Sequence, residues 1–188
     1  MVTRVLIALN VLVFIGQWST GLENPRSVFQ NLDEWGPGIA QGEWWRIFTS
    51  AFMHGSIMHI GFNMLALFQV GSIVEGLAGA RRMLLLYVLA LIGAGLAVYY
   101  FNFSEHTLGA SGAIFGLFGA LVAYGLRLGA RGRGLIASVT PIIVINLVIG
   151  FSNPGISNAA HIGGLITGFL AGLIFTPTLD RRAARVQE

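Results

Sequence analysis

Six apolar stretches punctuate the chain, separated by short polar or glycine-rich breaks. They run from about Val2 to Trp18, Ser56 to Leu77, Met83 to Phe103, Leu108 to Leu126, Gly134 to Phe151 and Ser157 to Phe175. Most reach or approach the ~20 residues with which a helix crosses the hydrocarbon of a bilayer. None alternates polar with apolar positions at period two, so the pattern predicts helices rather than barrel strands. No repeat at a fixed period stands out. The expected fold class is an all-α membrane protein, organised as one domain over residues 1–188. Three of the stretches open on polar clusters: His54 through Asn63 at the second, Gly109-Ala110-Ser111-Gly112 at the fourth, and Ala160-His161-Ile162-Gly163-Gly164 at the sixth.

Composition supports the membrane reading. The chain is 55% hydrophobic and 10% charged, against about 25% charged for an ordinary soluble domain. Val5 to Ile15, following Arg4, has the look of a secretory signal, but several later spans favour a retained first helix. The net charge of +3 comes with eleven basic residues, all arginines, most of them in short loops where they act as topology signals rather than as a nucleic-acid surface. Arg4, Arg81, Arg82, Arg127, Arg131, Arg133, Arg181, Arg182 and Arg185 all fall on one side of a six-crossing chain. Arg26 and Arg46 fall on the other, in a loop that also holds Glu23, Asp33, Glu34 and Glu43. The positive-inside rule then makes both termini cytoplasmic, in a multi-pass protein of the cell membrane (plasma or inner membrane). Segments two, four and six run inward, so their polar N-terminal ends share the outer face. The loop from Ser19 to Met53 is long, and Trp35, Trp44, Trp45 and Phe48 suit a position in or along the outer leaflet. The stretch Leu128 to Gly134 reads as a flexible basic connector. With no cysteine, disulfides, thiol nucleophiles and cysteine-based metal sites are excluded.

Ser111 and His161 have the residue types of a nucleophile and its general base. A serine at a helix start is also a common cap or packing residue. The glycines supply a way for the two to meet. Gly112, Gly116 and Gly119 share a face of segment four, and Gly164, Gly168 and Gly172 share the face of His161 in segment six. Small-xxx-small faces let transmembrane backbones approach closely. No acid is well placed for a triad. Glu75 and Asp180 lie too deep and Glu105 sits in the outer loop, so a Ser–His dyad is expected. His59 and Asn63, at i and i+4, can donate to an oxyanion, as can the Ser111 amide at its helix start. The same two side chains also suit a satisfied core histidine and an interhelical bridge. His54 is expected in a structural or interfacial role. A metal site from His54, His59, His106 and His161 is disfavoured by spacing, and no cofactor is implied. Glu75, an acid within a span, needs an arginine, a hydroxyl or an unpaired backbone N–H as partner.

Trp45-Arg46, His54-x4-His59-x3-Asn63, Gly109-Ala110-Ser111-Gly112 and Ala160-His161-x-Gly163-Gly164, in this order and spacing, resemble the rhomboid intramembrane serine proteases in their minimal six-helix form, over nearly the whole chain. The resemblance implies a six-transmembrane-helix rhomboid-like bundle with a long first outer loop. It implies Ser111 as nucleophile, His161 as base, and His59, Asn63 and the Ser111 amide as the oxyanion hole, with Gly109 contributing through its backbone. The implied partners are the bilayer and transmembrane substrate proteins, cut near the outer face. Helix five and the loop Phe151 to Ile156 would be gate and cap. Some members carry a tyrosine four residues after the serine; here it is Phe115, which keeps the stacking and loses the phenol. Two rivals from other classes remain at this point: a catalytically silent binder of transmembrane helices, and a small channel or transporter.

Overall fold

The computed structural model describes residues 1–22 and 29–175. Glu23, Arg26, Asp180, Arg181, Arg182 and Arg185 lie outside the described residues. Among the described residues, four helices are long and apolar enough to cross a membrane: Val2–Thr20 (α1), Ile57–Ala78, Ala80–Phe101 (α6) and Gly129–Ser152. Two shorter apolar helices, Ser111–Arg127 (α7) and Asn158–Ile174 (α9), have 17 residues each. The outward faces of the bundle are apolar and exposed, as in Leu12, Phe62, Val148 and Ile166. That is the surface a helix presents when lipid, not water, is its solvent.

The span Ile57–Ala78 is two α-helical pieces, Ile57–Ala66 (α4) and Ser72–Ala78 (α5), joined by a π-helical turn over Leu67–Gly71. Periodicity gave no sign of this turn. Below it, Glu75 accepts the Val2 and Thr3 amides at 2.8 and 2.9 Å and the Thr3 hydroxyl at 2.7 Å. The carboxylate thus caps the positive end of α1, so the partner it needs is a hydroxyl and two helix-start amides rather than an arginine. Gly71 in the π turn leaves room for the same threonine: a Cβ there would come 2.9 Å from Thr3 Cγ2.

Between α1 and α4 the first loop is folded. It contains a two-residue strand Glu34–Trp35 (β1), short helices Gly36–Ala40 (α2) and Trp45–Thr49 (α3), and a 3-10 turn Ser50–Phe52. β1 pairs antiparallel with His106–Thr107 (β2), Glu34 opposite Thr107 and Trp35 opposite His106. The stretch expected as a flexible connector is instead a 3-10 turn over Gly129–Gly132 that runs straight into Arg133–Ser152 (α8). Gly132 is buried because it touches Gly125 at the end of α7, where a side chain on either glycine would overlap the other segment.

α7 is the centre of the molecule, buried along almost its whole length. α9 lies in the groove between α7 and α6. On the α7 side, a Cβ on Gly164 would lie 2.8 Å from the Gly112 carbonyl carbon, one on Gly168 would lie 2.5 Å from Gly116 Cα, and one on Gly172 would lie 2.9 Å from Ala120 Cα. On the α6 side, a Cβ on Gly163 would lie 2.7 Å from the Gly93 carbonyl oxygen. The spacing of glycines along segments four and six therefore does mark the closest helix contact.

A Gly168→Val side chain would strike main chain, which cannot rotate away. The expected cost is about 1–3 kcal/mol or more of unfolding free energy. Gly76→Val is the control, since a Cβ there meets nothing within 4 Å. Unfolding of both variants in detergent micelles, followed by circular dichroism, checks the difference. Equal stability of the two variants would discard the seam as the main packing constraint.

Candidate active site

Ser111 is the first residue of α7, and its neighbour Ala110 provides no side-chain cap. Two other helices are capped by serines: Ser56 accepts from the His59 amide at 3.1 Å in α4, and Ser157 from the Ala160 amide at 3.2 Å in α9. The first amides of α7 therefore have no side-chain cap of their own at the place where Ser111 sits. One turn into α9, His161 is 5% exposed. Its Nε2 lies 3.0 Å from Ser111 Oγ.

The imidazole is held by stacking. Phe115, one turn below Ser111, lies parallel to the His161 ring at 5° with centroids 4.0 Å apart. His161 Nδ1 has no hydrogen-bond partner among the described residues. Among the described residues no carboxylate pairs with the ring. Glu105 is exposed and receives the Asn102 amide at 2.8 Å instead.

His59 and Asn63 face the same space from α4. Gly109 has φ +119°, a conformation open to glycine and strained for other residues. A Cβ there would come 2.7 Å from His59 Nε2 and 3.7 Å from Asn63 Nδ2. Only a glycine lets the loop before Ser111 close over these two side chains. Asn63 spends one N–H on the His59 carbonyl at 3.1 Å, leaving its second for a ligand. The Gly109 amide donates to the Ser50 carbonyl at 2.9 Å.

His54, expected in a structural or interfacial role, is fully buried rather than interfacial. Its ring meets His59 edge-on, with centroids 5.0 Å apart. Its amide donates to Gln17 Oε1 at 3.0 Å. Burial, and then the nearby His59 ring, push its pKa down to about 4. His106 is engaged elsewhere: its Nδ1 pairs with Asp33, and its ring stacks on Trp35 at 5.5 Å. Asp33 also receives Arg46 at 3.1 Å, and Arg46 reaches Glu43 at 2.5 Å. Among the described residues no group of three metal-ligating side chains converges.

Comparison with known proteins gives the family. The family model for the Rhomboid domain matches residues 41–178. The chain belongs to the rhomboid family. It is 40% identical over 173 residues to the Bacillus subtilis protein named rhomboid protease GluP, covering 90% of this chain and 34% of that one. It is 38% identical over 140 residues to Arabidopsis thaliana RHOMBOID-like protein 1, covering 73% and 36%. With Providencia stuartii rhomboid protease AarA it shares 30% identity over 205 residues, covering 92% and 72%. The chain thus spans about a third of the length of the first two relatives. Rhomboid membership and the apolar helices together make it a multi-pass membrane protein.

Sequence reasoning missed one residue next to this rhomboid site. Glu34, in β1, is 4% exposed, and its Oε1 has no hydrogen-bond partner among the described residues. It points at α6, where a Cβ on Gly95 would come 3.3 Å from it. With Ser50, Gly95, Gly109, Gly112 and Ala160 it lines a cavity of about 20 Å³ behind the loop that carries Gly109, room for about one water. No pattern distinguished it from Glu43. Only the pairing of β1 with β2 turns it inward.

Burial pushes the Glu34 pKa up to about 8. Between the unfolded value of 4.5 and about 8 the folded chain holds a proton that the unfolded chain has released. Its contribution to stability therefore falls as pH rises through that window and reaches its minimum above about 8. Glu34→Gln keeps the neutral shape without the titration. The variant is expected to melt at the same temperature as the parent near ~pH 5 and several degrees higher near ~pH 8, measured by thermal unfolding in detergent. A difference independent of pH would show that the carboxyl is already ionised in the folded protein.

Proposed function

We propose that this rhomboid is an intramembrane serine endopeptidase that cuts transmembrane segments of other membrane proteins. The observation that carries the reading is the approach of Ser111 Oγ to His161 Nε2 across the α7–α9 seam. His161 takes the hydroxyl proton as Ser111 Oγ attacks the substrate carbonyl. The developing oxyanion is received by the Ser111 amide, the free N–H of Asn63 and the His59 ring, with the Gly109 backbone shaping the pocket. Collapse breaks the C–N bond, and His161 returns the proton to the leaving amine. A water, deprotonated by the same imidazole, then frees the acyl group from Ser111. The names of GluP and AarA support the activity.

The depth follows from helix length. At 1.5 Å per residue, α7 and α9 span only about 25 Å, short of a hydrocarbon core of about 30 Å. Six crossings, with both termini cytoplasmic as the arginines require, put the dyad below the outer face of the plasma or inner membrane. The whole chain works as one membrane domain.

Ser111→Ala and His161→Ala are expected to abolish cleavage of transmembrane substrates in liposomes while leaving thermal stability within about 1 kcal/mol of the parent. Asn63→Ala is expected to lower kcat by about ten- to a thousandfold. A fluorophosphonate probe should label the parent and not Ser111→Ala. An unlabelled parent, under conditions where a known serine protease reacts, favours a silent binder of helices. Solute flux that persists in Ser111→Ala favours a channel.

A further inference from the structure

Of the four long apolar helices, Gly129–Ser152, which contains α8, is the least buried, with 17% of an 18-residue apolar stretch buried against 39% for α6. One of its residues is out of keeping with its position. Asn146 lies seven residues after Val139, three after Ile143 and four before Gly150, which places it on the face these three share. The three are buried, yet Asn146 is exposed. α8 is therefore seated on the bundle on both sides of this point, while at Asn146 the amide is left open on that same face.

The depth of Asn146 can be read from the turn joining α8 to α9. There Asn158 closes on Gly150, where an added Cβ would lie 2.9 Å from Asn158 Cγ. Asn158 also donates to the Leu147 carbonyl at 3.3 Å. The two helices run in opposite directions from this junction. Asn146 is four residues down α8 from Gly150, and His161 is three residues down α9 from Asn158. Those steps are about 6 and 4.5 Å, so the amide stands at the level of the dyad.

Its hydrogen bonding is incomplete. Nδ2 donates to the Ile142 carbonyl at 2.8 Å. Among the described residues no group engages Oδ1 or the second N–H. The flanking side chains Val144, Ile145, Val148 and Ile149 are exposed and apolar. An amide in such surroundings is costly unless something satisfies it.

We infer that Asn146 is a substrate-binding residue whose free amide groups hydrogen-bond the backbone of the transmembrane segment presented to Ser111. This role rests on the protease reading. A helical peptide bond is shielded, its carbonyl already bonded to the N–H four residues on. To be attacked it must leave the helix, which strands N–H and C=O groups where water is scarce. A side-chain amide offers one acceptor and one donor, the complement of a peptide unit. The apolar neighbours along α8 take the segment's apolar side chains.

The test compares Asn146→Leu and Asn146→Gln, as full chains in liposomes, on a panel of transmembrane substrates. The rate of Ser111 labelling by a small fluorophosphonate is followed in parallel, since it needs the dyad but no transmembrane backbone. Asn146→Leu is expected to lower kcat/KM about three- to fifteenfold, with labelling rate and melting temperature unchanged, and Asn146→Gln to recover most of the loss. Undiminished cleavage by Asn146→Leu, or a loss matched by slower labelling, overturns the inference and leaves the protease reading standing. A parent that neither labels nor cleaves removes the reading and this role with it.

Discussion

Main-chain contact between two helices is the constraint on which the rest of this molecule depends. In lipid there is no hydrophobic force to press one apolar helix against another, and packing must come from close approach. Here Gly164 and Gly168 of α9 lie directly against the Gly112 and Gly116 carbonyls of α7, with no side chain between. A hydroxyl and an imidazole are short. Two helices at ordinary separations of 8–10 Å would leave their partnership to chance rotamers. With the backbones touching, the first turns of α7 and α9 set Ser111 and His161 at 3.0 Å. The Phe115 ring then fixes the plane of the imidazole, a task that a carboxylate performs in many triads.

The side of the site that holds Gly109, His59 and Asn63 depends on a different part of the chain. The loop before Ser111 is held by β2 pairing with β1 and by the Gly109 amide on the Ser50 carbonyl. Both anchors lie in the segment between α1 and α4. The buried Arg46, with Asp33, Glu43, Trp35 and His106 around it, stiffens that segment. A change far from the dyad in this folded loop would reach the position of Gly109, and through it the space next to His59 and Asn63.

The parts of this arrangement that were legible in the sequence are those with a period. Glycines at intervals of three and four, in phase with His161, pointed to the α7–α9 contact. The i, i+4 spacing of His59 and Asn63 put them on one face. What stayed hidden depends on tertiary partners. Glu34 is one charge among several in a polar loop, and a two-residue ladder with a distant segment turns it inward. The π turn at Leu67–Gly71 leaves the apolar pattern of its span unchanged. Gly129–Gly132 has the composition of a flexible linker, yet Gly132 is held against Gly125. Asn146 drew no notice because a single amide in an apolar run has meaning only once its face and depth are known.

The same residue chemistry divides the bundle into a fixed part and a yielding part. α7 carries Gly112, Gly116, Gly119 and Gly125 and is buried almost throughout. α8 is rich in valine and isoleucine, with glycines only near its ends, and Pro141 in its interior removes one helical hydrogen bond. Branched side chains on α8 keep its backbone at a distance, so it holds to its neighbours by side-chain contacts such as Val139 and Ile143 rather than by the seam. Separating α8 from α7 disturbs fewer and weaker contacts than separating α9 from α7. The proposed protease activity needs both properties at once. The reacting groups must stay in register while a helix as wide as those of the bundle is admitted beside them. Glycine spacing supplies the first property, and its absence along the middle of α8 supplies the second.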